Sequence, residues 1–161
     1  MRALSLPRPI RALGRRLRGK RGQSLVEFAL VLPLLMIMIF GIIDFGMGLR
    51  SYISLTNATR EGARFAAVGN EPGSYPANCT GNDSTTVVGR VCVALENVQL
   101  DNLDDVSVEY PNGTMPGNSV VVSAEYTYEY ITPLGDIVNF FSAGSFPDQL
   151  QLSTSTDMRL E

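Results

Sequence analysis

Residues 28–43, FALVLPLLMIMIFGII, carry no charge and almost no polar group. Continued through Asp44 to Leu49 the stretch has 22 residues. As an α-helix it would measure about 33 Å, enough for a hydrocarbon core of about 30 Å. This run predicts a membrane span. Charge supplies its direction. Residues 1–22 hold eight of the thirteen basic residues (Arg2, Arg8, Arg11, Arg15, Arg16, Arg18, Lys20 and Arg21) and no acid. Residues 69–161 hold only Arg90 and Arg159 against thirteen acids. The overall balance of −3 hides this asymmetry. Flanking cations stay on the cytoplasmic side, so the acidic part is expected to cross.

That acidic part argues against nucleic acid as a partner, because phosphates would repel it. There is no histidine, so the usual general base near neutral pH is missing. With no nucleophile elbow and no metal cluster either, the sequence points away from an enzyme, a cofactor or a small-molecule substrate. Asp101, Asn102, Asp104 and Asp105 offer oxygen ligands, but their spacing is not that of an EF-hand loop and DNLDD reads as a turn.

The helical pattern outlasts the apolar run. LRSYISLTNATREGARFAAV (49–68) has no proline and one glycine. Ala58, Gly62 and Ala66 recur at four-residue spacing, as do Thr59, Ala63 and Ala67, giving a smooth face suited to close packing. GNEPGSYP (69–76) is a stop. One helix is expected from about Gln23 to Val68, wetted only in its second half. Beyond a polar loop, 87–98 reads as a short amphipathic helix, with a valine-rich strand as the alternative. DVSVEYP (105–111) alternates as a strand. SVVVSAEYTYEYI (119–131) is the clearest strand, with Val120, Val122, Ala124, Tyr126, Tyr128 and Tyr130 on one face. Residues 132–144 read as loop or short helix, and 149–161 alternate again. The expected fold is α+β: a long N-terminal helix followed by a small antiparallel sheet. The segments are a basic cytoplasmic leader (1–22), a transmembrane helix (23–49), its extracytoplasmic continuation (50–68) and an acidic α+β domain (69–161).

Gly22 is followed, after four residues, by Glu27 and then Phe28. A cut after Gly22 would leave Gln23 first and Glu27 fifth, with the span intact. An ordinary signal peptidase cuts beyond its apolar stretch instead. The spacing resembles a type IV prepilin processing site. VEFALVLPLL (26–35), DFG (44–46) and NATREGARFAA (57–67) extend the likeness, and the sequence resembles the TadE-like family over residues 22–68. These are pilin-like minor components of the tight adherence (Flp-type) pilus machinery of bacteria. The resemblance implies a pseudopilin in the bacterial inner membrane. Its partners would be a prepilin peptidase, other pilins and pseudopilins, and the pilus platform proteins. It implies cleavage between Gly22 and Gln23, and a family motif that includes Pro33, Asp44, Arg60, Glu61, Gly62, Ala63 and Arg64. Major Flp pilins carry Glu-Tyr where this chain has Glu27–Phe28, and they are very short. Both departures favour a minor component over the bulk subunit.

Glu27 is costly in hydrocarbon, by roughly 2.5–3.5 kcal/mol at mid-bilayer and less near the edge. Cleavage after Gly22 would create a cation nearby, the α-amino group of Gln23. Pairing within or between helices offsets the penalty; in type IV pilins the glutamate registers the incoming subunit. The plainer readings are an acid at a helix N-terminus or one that snorkels. Pro33 removes one helical hydrogen bond mid-span. Asp44, about 31 Å from Gln23 along the axis, is expected among the outer headgroups. Arg60, Glu61 and Arg64 read as a solvated face, with Glu61 able to reach Arg64, or as a docking contact. Cys79 and Cys92 are expected to pair in an oxidising compartment. Arg15–Arg16 is a weak twin-arginine signal, and the sequons at Asn57, Asn78, Asn82 and Asn112 carry little meaning in bacteria. A rival reading is a periplasmic binding or adhesion module with an inert anchor, its tyrosine-rich strand the binding face.

Overall fold

The computed structural model describes residues 20–77, 79, 83–95, 100–142 and 144–161. Residues 1–19 of the basic leader, Arg15–Arg16 among them, lie outside these, as do the sequons at Asn78 and Asn82. The chain divides into two units, the first ending at Met38 and the second running from Ile39 to Glu161.

One helix, α1, runs from Lys20 to Ala67 and contains Pro33. In the first unit most of its apolar side chains lie open: Leu25 is 69% exposed, Leu30 76% and Leu34 62%. A helix apolar on every side belongs in a low-dielectric medium. In the second unit one stripe of the same helix is buried, from Asp44 and Gly48 through Leu55 and Ala58 to Gly62 and Ala66. The helix ends where the stop signal predicts. Gly69, at φ +82°, turns the chain, and its N–H bonds to the Ala66 carbonyl at 2.9 Å. The Asn70 amide donates to Phe65 O at 2.8 Å, and the Glu161 N–H to Ala67 O at 2.9 Å. Three terminal carbonyls thereby find donors.

The valine-rich segment that the sequence leaves between helix and strand is helix α2, Val87–Ala94. Thr86 caps it, accepting from Gly89 N at 3.1 Å. Residues 71–72 fix its entry, since Glu71 O and Pro72 O accept from Val87 N and Val88 N. Cys79 and Cys92 form a disulfide, with Cα atoms 5.3 Å apart, tying the preceding loop to α2.

Three antiparallel strands follow in the order β1-β2-β3: β1 Leu103–Glu109, β2 Ser119–Glu129 and β3 Gln149–Arg159. The alternation predicted for β2 holds, with Val120, Val122, Ala124, Tyr126 and Tyr128 buried and Glu125 and Glu129 exposed. Residues 134–142, open between loop and helix in the sequence, form α3 (Leu134–Ser142). The core lies where the small-residue stripe of α1 meets α2 and β2. Val87, Val91 and Val122 converge on Gly62, and all three are essentially fully buried. Burying each such side chain contributes roughly 1.5–3 kcal/mol. Further along, Gly48 packs by the Tyr128 ring, so β2 runs antiparallel to α1.

Candidate functional site

The residues singled out by the sequence sit at three levels of α1. At its start, Gly22 and Gln23 lie in the opening turns, followed by Glu27. Gln23, Glu27 and Phe28 are exposed, and Glu27 forms no ion pair among the described residues. Pro33 is half-buried on the same bare helix.

The second level is Asp44, which the structure gives partners inside the domain. Asp44 is 2% exposed. Its Oδ1 accepts from Ile131 N at 2.9 Å and Thr132 N at 3.2 Å, and its Oδ2 accepts from the Thr132 hydroxyl. Charge-assisted bonds of this kind are about twice as strong as neutral ones. They clamp α1 to the chain leaving β2. The Tyr128 hydroxyl is buried close by without a well-formed hydrogen bond. Burial first, and then the Asp44 charge, push its pKa up to about 12. Around this point Gly41, Asp44, Phe45, Tyr130, Leu134 and Leu150 help line an apolar cavity of about 320 Å³.

The third level is the REGAR stretch. Gly62 and Ala63 are buried, Arg60 and Arg64 exposed. Glu61 does not turn to Arg64; it accepts from Arg90 on α2 at 3.1 Å. The Arg90 guanidinium also lies 5.8 Å from the centre of the Phe65 ring. The ion pair is about 40% exposed on both sides, so it is worth at most about 1 kcal/mol and sets orientation more than stability. Docking therefore describes Glu61 better than a solvated face does.

Two further expectations change. The tyrosine-rich strand offers no binding face, because Tyr126 and Tyr128 are 5% and 4% exposed and belong to the core. Of DNLDD, read as a turn, Asp104 and Asp105 instead belong to β1, where Asp104 stands at a bulge and accepts from the Thr127 hydroxyl at 2.6 Å. Sequence reasoning missed the Asp44 clamp. The signal was present in its phase: eighteen residues separate Asp44 from Gly62, about five helical turns, so both lie on the buried stripe.

Glycine, acid, proline, acid and REGAR thus fall on one uninterrupted helix. Residues 22–64 match the family model described as TadE-like protein. The TadE-like stretch begins at Gly22 and ends at Arg64, the last arginine of REGAR. It takes in the bare part of α1 and most of its buried stripe. The helix that carries it is long and apolar enough to cross a membrane. Comparison with curated proteins and with solved structures gave no match.

Proposed function

We propose that the protein is a minor pseudopilin of a tight adherence (Flp-type) pilus, a structural and assembly component and not a catalyst. The observation that carries this reading is the coincidence of a TadE-like match opening at Gly22 with a helix whose apolar side chains are largely exposed through the first unit. In this reading a prepilin peptidase in the bacterial inner membrane cuts after Gly22. Gln23 becomes the first residue, and its α-amino group pairs with Glu27 of the same or a neighbouring helix. The pairing offsets the cost of an acid at the edge of hydrocarbon.

The burial of Asp44 supports ending the span at Ile43. Residues 23–43 measure about 31 Å as a helix, still enough to cross. The acidic domain then begins at Asp44 on the extracytoplasmic side, with the N-terminus cytoplasmic. Other pilins and the platform proteins are the partners, met through the bare helix.

N-terminal sequencing after coexpression with the peptidase tests the cut. Gln23 is the expected first residue, and Gly22→Ala should leave the precursor intact. Normal processing of Gly22→Ala would sink the proposal. Glu27→Ala should be cut normally yet fail to support piliation; wild-type pili in that strain would remove the pairing role.

A further inference from the structure

The segment 130–148 joins β2 to β3 and contains α3. It lies beside the Gly41–Phe45 turn of α1. Asp44 holds Ile131 and Thr132 there, and Tyr130, Leu134 and Leu150 share a cavity with Gly41 and Phe45. The β1–β2 hairpin, 110–118, lies at the other end, where Tyr110 and Thr114 line a hollow with Ala66 and Gly69. From Asp44 to Ala66 is about 33 Å of helix.

The two ends differ in chemistry. The hairpin, YPNGTMPGN, is turn-forming and polar, with Met115 its only aliphatic residue of any size. The other connection, YITPLGDIVNFFSAGSFPD, is dominated by large apolar residues and has no cation. Much of that apolar surface is open: Phe140 is 84% exposed and Ile131 62%, while on α1 Phe45 is 74% and Ile42 70%. Such a patch in water is unfavourable and marks a contact site. That it includes Ile42 and Phe45, at the end of the apolar stretch of the sequence, says what covers it. Ile42 and Phe45 lie where the span would leave the bilayer, and the connection is clamped at that same level. Helix α3 has a buried flank, with Leu134 in the domain, and an exposed flank bearing Phe140. Asp136, exposed one turn before Phe140, favours the headgroup region over deeper hydrocarbon.

We infer that the β2–β3 connection, with Ile131 and Phe140 as its contacts, rests in the headgroup–acyl boundary of the leaflet from which α1 emerges. The occupant of the apolar patch is lipid. The inference rests on α1 being a membrane span, and it adds a second, peripheral attachment that fixes the height of the domain above the bilayer.

The chain has no tryptophan, so single reporters can be introduced without background. The full chain in phosphatidylcholine vesicles would carry Phe140→Trp, Leu35→Trp or Met115→Trp, with lipids brominated near the glycerol or near the acyl terminus. Leu35→Trp is expected to be quenched by deep bromines. Phe140→Trp should emit at shorter wavelength and be quenched by shallow bromines at least half as strongly. Met115→Trp should remain unquenched. Quenching of Leu35→Trp without Phe140→Trp overturns the inference and leaves the span standing. An unquenched Leu35→Trp overturns the span, and the inference with it. Blue-shifted Phe140→Trp emission that bromine does not touch assigns the patch to a protein neighbour, and equal quenching of Met115→Trp means a domain lying flat; either result refutes the lipid platform.

Discussion

Gly62 lies at the closest approach of α1 to the rest of the domain, and Gly62→Ala tests whether that approach is as tight as described. A Cβ at this position would be driven into the Val91 side chain, with Val122 Cγ1 at 3.5 Å and Val87 Cγ1 at 3.7 Å. Val91 is fully buried. As a β-branched residue inside a helix it has one favoured rotamer, so it has little freedom to turn away. Helix α2 would have to shift. Overpacking of this kind costs about 1–3 kcal/mol. The gain in helix propensity from glycine to alanine returns up to about 1 kcal/mol. The expected net loss is about 1–2 kcal/mol, or roughly 3–10 °C in the midpoint of a domain this size. The assay is thermal unfolding of the full chain in detergent micelles, followed by near-ultraviolet dichroism of the buried tyrosines. Val91→Ala alone should cost about 2–3 kcal/mol through its cavity. Combined with Gly62→Ala it should cost less than the sum by at least about 1 kcal/mol, because each change relieves the other. Additive effects, or a Gly62→Ala variant stabler than wild type, would refute the close-packing argument.

Asp44→Ala strands two backbone N–H groups and the Thr132 hydroxyl, at about 2–4 kcal/mol. Amide exchange at Ile131 and Thr132 should rise sharply, while Asp44→Asn, which keeps an acceptor oxygen, should show a smaller rise; unchanged exchange in Asp44→Ala would dismiss the clamp. Thiol titration should find no free cysteine before reduction, and reducing Cys79–Cys92 should lower stability by about 2–4 kcal/mol; an unmoved midpoint would contradict this. The alkaline limb follows from Tyr128, whose pKa rises from 10.0 to about 12. The fold favours the neutral phenol, so this stabilisation is complete below about pH 10 and lost as pH climbs through about 12. Phenolate absorbance of the folded chain should therefore lag that of the urea-unfolded chain between those limits, with Tyr126, also raised by burial, adding to the lag; coincident curves would count against a buried Tyr128.

What was legible in the sequence is what repeats locally. The length of α1 followed from an unbroken helical pattern and the Gly-Pro stop. Both faces of β2 followed from strict alternation, and the small-residue rows of 58–67 announced a close contact. The disulfide followed from two cysteines in a segment whose charge balance predicts export. The partners of those faces were hidden, because they come from distant sequence. Glu61 finds Arg90 across 29 positions, and Asp44 finds Thr132 across 88. Arg64, a turn away, looked the more natural partner for Glu61, but the burial of Gly62 and Ala63 turns Glu61 toward α2. Helix α3 was ambiguous because LGDIVNFFS has an apolar content that suits either a loop packed on the domain or a short helix. The tyrosines of β2 could look like a binding face only while the packing of α1 on that face was unknown.

The stripe that runs from Asp44 to Ala66 limits how this chain can diverge. Each residue added to or removed from an α-helix rotates everything beyond it by about 100°. A single insertion between Asp44 and Gly62 would therefore keep either the clamp or the glycine contact, never both. Substitutions along this stretch can be graded, but changes in length cannot. Relatives sharing the fold should preserve the eighteen-residue interval even where the residues between have drifted.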